Sequence, residues 1–306
     1  MTSSREIRVA APAKLNLYLH ILGRRDDGYH QLDSLVCFAD IHDTIIAHPN
    51  DDLEFHLSGP YAHALENEAA KVTTGNAPEN LVLKAAKKLA ELTGHPPKAR
   101  LELIKRLPVA SGIGGGSADA AATIKALCTL WNVEPSSSNL HHLAQTLGAD
   151  VPVCLAGQST YMGGIGEILD KAPFLPELGL VLLNPGIPLA TPPVFKTRTG
   201  PFSKAARFEV SPKNAQEFIT FLAERKNDLT APAISLAPII GDGLAALEQS
   251  PQCLLARMSG SGATCFGLYP NLQQAQLAAE TLKLSYPSWW ISSGQLIDDC
   301  SKIKAL

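Results

Sequence analysis

The sequence predicts an α+β fold of two domains with a cleft between them. Three observations carry that expectation. The chain has 306 residues, more than one hydrophobic core usually serves. Strand-like alternation and helical spacing are interleaved along it. A Pro- and Gly-rich passage over residues 163–193 separates two such stretches, so domains of 1–163 and 164–306 are expected.

Residues 7–22 are mostly apolar and partly alternating, interrupted at Pro12 and Lys14, and the turn-rich Gly23-Arg24-Arg25-Asp26-Asp27-Gly28 ends them, which reads as strand, turn, strand. A second strand-like run over 34–47 is broken by Asp40 and Asp43, and 52–57 alternates weakly; together they make an N-terminal sheet. Leu81, Ala85, Leu89 and Leu92 recur at helical spacing ahead of the stop residue Gly94, giving a helix over 79–92. Leu101 and Leu103 share one face of a strand over 100–105 that runs through Leu107-Pro108 into a glycine-rich loop. The alanine-rich stretch 117–131, free of Gly and Pro, favours helix. Ser136 to Ser138 supply N-caps for a further helix ending at Gly148. The passage itself holds one apolar strand at 180–183. Beyond it, helices are expected over 214–224, 234–247 and 272–284, and a strand over 263–269.

Composition excludes several classes. Apolar residues make up 45% and charged residues 18%, the proportions of a packed globular protein. A net charge of −3 without a basic block argues against a nucleic-acid partner. The start lacks the apolar stretch of a secretory signal and no segment approaches the length needed to span a bilayer, so a cytoplasmic protein with no membrane partner is expected. The six cysteines (Cys37, Cys128, Cys154, Cys253, Cys265, Cys300) form no C-x-x-C pair and read as reduced core residues. Nothing in the sequence fixes an oligomeric state.

The loop Gly112-Ile113-Gly114-Gly115-Gly116-Ser117 carries the chemistry. It has four glycines in five positions, between an expected strand and an expected helix. Glycine lets successive N–H groups turn onto phosphate oxygens, and the helix adds its positive N-terminal end. It is not G-x-x-x-x-G-K-[ST], because no lysine follows the last glycine, and it lacks the final glycine of G-x-G-x-x-G. A flexible turn capping a helix stays open on these residues alone.

Three separated segments resemble one family, the GHMP kinases, which include galactokinase, homoserine kinase and mevalonate kinase. Pro108-Val109-Ala110-Ser111-Gly112-Ile113-Gly114-Gly115-Gly116-Ser117-Ala118 is similar to the family's ATP loop, and Ser259-Gly260-Ser261-Gly262-Ala263 to its C-terminal glycine motif. Ala11-Pro12-Ala13-Lys14-Leu15-Asn16-Leu17, Gly28-Tyr29-His30, Leu147-Gly148-Ala149-Asp150 and Thr191-Pro192-Pro193-Val194-Phe195 resemble the branch whose acceptor alcohol, a methylerythritol, carries a cytidine diphosphate group. Ala118 stands where the family commonly has a second serine.

The resemblance implies an N-terminal ribosomal-protein-S5-like β/α domain, a C-terminal ferredoxin-like α/β sandwich, and an active site in the cleft between them. It implies ATP-dependent phosphorylation of the methylerythritol 2-hydroxyl in the non-mevalonate route to isoprenoid precursors. Asp150 would be the general base, and Lys14 beside it would favour the charged carboxylate and stabilise the transferring phosphoryl group. Asn16 would hydrogen-bond the substrate alcohol. Tyr29, His30 and Phe195 match a cytosine site, with Thr191 a further substrate contact. Pro108 to Ala118 would wrap the ATP phosphates, Ser117 reaching magnesium or an oxygen, while Asn80 and Lys105 would border the adenine. Mg2+ is implied because ATP chemistry needs its charge neutralised. The competing readings are another GHMP kinase, of homoserine or mevalonate type, a non-catalytic nucleotide-binding protein on the same fold, and a redox enzyme using a dinucleotide.

Overall fold

Polar residues do not break the first two strands as the sequence pattern suggests. β1 (Ile7–Arg24) runs for 18 residues and β2 (His30–His48) for 19, paired antiparallel around the turn that joins them. Pro12 is absorbed because β1 shifts register between Pro12 and Lys14, and again between Asn16 and Tyr18 and between Ile21 and Gly23. Asp43 stays inside β2, fully buried, because Lys105 and two backbone N–H groups satisfy it. The computed structural model describes residues 6–65, 80–173 and 175–303; the first residue of the helix expected over 79–92 lies outside them.

β2 is the spine. β1 lies along one edge, while β5 (Thr160–Gly164), β10 (Trp290–Ile297) and β4 (Ala99–Ile104) follow one another along the other. β3 (Leu53–Ser58) pairs parallel to β4, and β6 (Ile168–Lys171) closes a hairpin with β5. That hairpin straddles the expected 163/164 boundary. β10 belongs to two neighbourhoods: Leu296 and Ile297 pair with β2, while Trp290 to Gln295 pair with β7 (Gly179–Asn184). β9 (Cys265–Tyr269) and β8 (Leu255–Met258) complete the C-terminal part of one continuous sheet.

On the N-terminal part pack α1 (Leu81–Thr93), α2 (Gly115–Trp131), α3 (Ser137–Leu147) and the short α4 (Val151–Ala156). α1 stops where glycine allows a left-handed turn, at Gly94 with φ 67°. Downstream come α5 (Thr191–Thr197), α6 (Ala215–Ala223), α7 (Thr230–Leu236), α8 (Ile239–Glu248) and α9 (Leu272–Ser285). α7 and α8 replace the single helix expected over 234–247. Pro238 forbids helical geometry at Ala237, whose φ is −145°. The passage over 163–193 is no linker: it contains β6, β7 and the start of α5.

Three apolar clusters result. One lies between α1 to α4 and the N-terminal sheet, and another under α8 and α9. The third joins Leu15, Leu17, Leu35 and Leu107 to Leu180, Leu182, Phe218 and Phe266. The two halves therefore share a core. All six cysteines are free, and burial raises each thiol pKa above its ordinary value.

Candidate active site

Lys14 sits on β1 between two register shifts, so it and Asn16 point to the same side. Its Nζ donates to Asn16 Oδ1 at 2.9 Å and pairs with Asp150 Oδ2 at 3.1 Å. The lysine side chain is almost wholly buried, whereas that of Asp150 is 33% exposed and lines a cavity of about 1220 Å³. Asp150 occupies the N-cap position of α4, yet its carboxylate makes no cap hydrogen bond; it faces the ammonium instead. An aspartate that forgoes a cap keeps oxygens available for a ligand. Asn16 is itself held, its Nδ2 donating to Ser34 Oγ at 2.8 Å. Its amide thus orients Lys14, a role the expected contact to the substrate alcohol did not include.

The glycine loop arrives from β4 and ends as the first turn of α2. Lys14 N donates to Ile113 O at 2.9 Å, and a Cβ on Gly114 would stand 3.2 Å from the Lys14 Cβ. Close approach of loop to lysine therefore needs glycine, and so does the φ of 63° at Gly114. α2 begins at Gly115, two residues earlier than expected, with no side-chain cap and no acidic residue in its first turn. Those N–H groups suit a phosphate. Within the expected ATP loop, Ile113 and Ala118 turn away from the cavity: each side chain is buried in a core cluster and anchors the loop. The others, from Pro108 to Ser117, line it.

The C-terminal glycine motif braces this loop from behind. Ser259 Oγ accepts from Asn16 N and donates to Gly112 O, each at 3.2 Å. A Cβ on Gly112 would lie 2.5 Å from Gly262 O, and one on Gly260 2.7 Å from Gly112 O. Ser34 and the bracing role of Ser259 escaped the sequence reading. The motif around Ser259 was visible, but its distance of 243 residues from Asn16 concealed what it touches.

Lys105, expected to border the adenine, is a buried ion-pair partner. Its ammonium lies between Asp43 at 2.5 Å and Asp119 at 2.8 Å, all three buried, 3.1 Å from where a Gly115 Cβ would be. It lines the cavity beside the first residue of α2. Burial works against the ammonium, but Asp119 and Asp43 outweigh it and hold the Lys105 pKa above its ordinary value. Burial pushes the Asp119 carboxyl up to about 8, with Lys105 pulling the other way, and Asp119 Oδ1 has no hydrogen-bond partner. Asn80 caps α1, its Oδ1 accepting from Val82 N at 2.9 Å, and also lines the cavity.

Elsewhere on the cavity wall, His30 packs against Phe195 with ring centroids 5.2 Å apart and planes 35° from parallel. Tyr29, expected in that place, stays 62% exposed at the cavity rim. It precedes β2, while His30 opens the strand. Burial, then Arg24 and Arg198, hold the His30 imidazole below its usual pKa, which leaves one donor and one acceptor nitrogen at pH 7. Thr191 Oγ1 meets Ser261 Oγ at 2.9 Å, linking α5 to the C-terminal glycine motif.

Comparison with known proteins identifies the family of the chain. Residues 80–158 match the family described as GHMP kinases N terminal domain, and residues 211–288 the GHMP kinases C terminal family. The chain is 53% identical, over 94% of its length and 98% of the relative's, to 4-diphosphocytidyl-2-C-methyl-D-erythritol kinase of Paramagnetospirillum magneticum. It is 49% identical to the protein of that name from Rhodospirillum rubrum, over 97% of this chain and 94% of the relative. A crystal structure of 4-(cytidine 5'-diphospho)-2C-methyl-D-erythritol kinase is similar with a TM-score of 0.76 and 33% identity, covering 95% of this chain and 99% of that one. A homoserine kinase from Cytophaga hutchinsonii shares the fold at 15% identity and a TM-score of 0.67, covering 98% of each chain.

Proposed function

The chain belongs to the 4-diphosphocytidyl-2-C-methyl-D-erythritol kinases of the GHMP family, and on that premise we propose that it moves the γ-phosphoryl group of ATP to the 2-hydroxyl of 4-diphosphocytidyl-2-C-methyl-D-erythritol, giving the 2-phosphate and ADP. The observation that carries the mechanism is the Lys14–Asp150 pair at 3.1 Å, set against Gly114 at the phosphate end of α2.

Asp150 accepts the proton of the 2-hydroxyl as its oxygen bonds to the γ-phosphorus and the bridge from that phosphorus to ADP breaks; the proton then passes to solvent. Lys14 stabilises charge on the transferring group, held in line by Asn16. First-turn N–H groups of α2 hold the phosphates. Among the described residues no cluster of three His, Cys, Asp or Glu could hold a metal alone. A magnesium ion brought in on the nucleotide would find a protein oxygen in the Ser117 hydroxyl, which lines the cavity. When bound, that ion neutralises phosphate charge.

His30 and Phe195 support cytosine as the recognised base, with Tyr29 and Thr191 at its margin. Neither ring pair nor rim is needed for a homoserine or mevalonate acceptor, and the likeness to the homoserine kinase is one of fold alone. No helix among the described residues is long and apolar enough to cross a membrane, and we assign the activity to the cytoplasm, in a route to isoprenoid precursors. The test is a coupled ADP-release assay offering this substrate beside homoserine, mevalonate and galactose, repeated with Asp150→Asn. We expect turnover of the cytidylyl substrate alone, lowered about 10²- to 10⁴-fold in the variant with ATP binding kept. Near-normal turnover in Asp150→Asn would remove the base assignment.

A further inference from the structure

Two arginines bracket the ring pair. Arg24 is the register partner of His30 across the β1–β2 turn. Arg198 follows Phe195 by three residues at the end of α5, its N donating to Phe195 O at 3.3 Å. Both line the same cavity as Lys14 and Asp150. Among the described residues neither is in an ion pair, whereas Arg25 next door is tied to Asp27 at 2.8 Å. The Arg24 Nε donates only to Gly28 O, at 3.3 Å. Arg198 donates to the carbonyls of Gly200 and Pro201 and lies 4.8 Å over the Phe202 ring, and its Nε is buried with no acceptor at all. Both cations bear on His30, lowering its pKa after burial.

Two guanidinium groups without a carboxylate, one with an orphaned donor, mark a place for an anion. They come from the β1–β2 turn and the end of α5, not from the two glycine segments, so the phosphates of ATP are not their natural partner. A cytidine ring held by His30 and Phe195 would carry its 5′-diphosphate between them. We propose that Arg24 and Arg198 bind the diphosphate of the acceptor and set its preference over uncharged cytidine derivatives. This rests on the cytidylyl reading above, and gives two cations to a group that the aromatic pair cannot recognise. Guanidinium suits it because its planar fork donates two parallel hydrogen bonds to phosphate oxygens, which the Arg24 fork is open to do, while Arg198, already donating to Gly200 O and Pro201 O, adds its charge and remaining N–H groups.

The test is calorimetric titration with cytidine and with CDP, a non-hydrolysable ATP analogue filling the glycine loop. Wild type is expected to bind CDP at least about tenfold more tightly than cytidine, as charge-assisted contacts allow. Arg24→Gln and Arg198→Gln should each lose most of that preference while cytidine affinity and the KM for ATP stay unchanged. Arg24→Lys and Arg198→Lys should recover part of it. An unchanged CDP-to-cytidine ratio in both glutamine variants overturns the inference, as does a parallel loss of cytidine binding, which would mean the arginines only hold the rings in place. Wild type that binds neither cytidine nor CDP would overturn the cytidylyl reading itself. Turnover of the cytidylyl substrate with an unchanged ratio would sink this inference alone.

Discussion

At the scale of single residues, the site depends on charges placed where water cannot screen them. Lys105 is the clearest case, one buried cation serving two buried carboxylates. Lys105→Met should destabilise the protein by about 3–5 kcal/mol, since it leaves Asp43 and Asp119 without a counter-charge. In the Lys105→Met background Asp119→Asn should cost less than it does alone, because the ion pair it would break is already gone; urea melts of the singles and the double measure the coupling. Additive losses would mean the three groups are not one unit. Phe195→Ala should raise the KM for the cytidylyl substrate and leave that for ATP near its original value, as expected of a side chain that binds ground and transition state alike. Steady-state kinetics with each substrate varied in turn decide it. Lys14 and Asp150 were candidates through the family resemblance of their motifs, since a lysine in an apolar run reads by itself as a surface residue. That they meet at 3.1 Å was not legible, because 136 residues separate them and no local pattern reports a pair.

At the scale of elements, two loops have become one. The segment over 108–118 and that over 259–263 are back to back with glycine carbonyls at the distance a methyl group would need. Gly112→Ala puts a Cβ 2.5 Å from Gly262 O at a φ of +77°, so one loop must move. We expect a stability loss of about 1–3 kcal/mol and a raised KM for ATP. Gly94→Ala is the control: its φ is similar, +67°, but no atom lies within 4 Å, so only the conformational cost of about 1–2 kcal/mol remains and ATP kinetics should not change. Thermal unfolding and ATP titration on both variants separate strain from loop displacement. Helical spacing exposed α1 and alanine-rich composition exposed α2, since both signals are local. Local patterns missed α4, α5, β5, β6, β8 and β10, which are short or whose burial comes from partners far away in sequence.

At the scale of the molecule, the shared core and β10 tie the halves together. Leu15 and Leu17 pack in the same cluster as Leu180, Phe218 and Phe266, and β10 pairs with both β2 and β7. A single calorimetric transition is expected on heating, with the measured and van't Hoff enthalpies agreeing. Two resolved transitions would show that the halves unfold independently. The β5–β6 hairpin leads us to set the domain boundary after Lys171 rather than at 163/164, because Thr160 to Gly164 hydrogen-bond to β2 and β6 pairs with them. The sequence by itself determined the class of the fold and the motifs that carry the family resemblance, the glycine loop and the segments around Lys14 and Asp150 among them, since each is contiguous or follows a local period. Only the tertiary structure decided that His30 rather than Tyr29 meets Phe195, that Lys105 is a buried counter-charge, and that Ser259 and Gly260 support the glycine loop. Those facts depend on contacts between distant segments, where burial and hydrogen-bond satisfaction select partners that spacing along the chain does not encode.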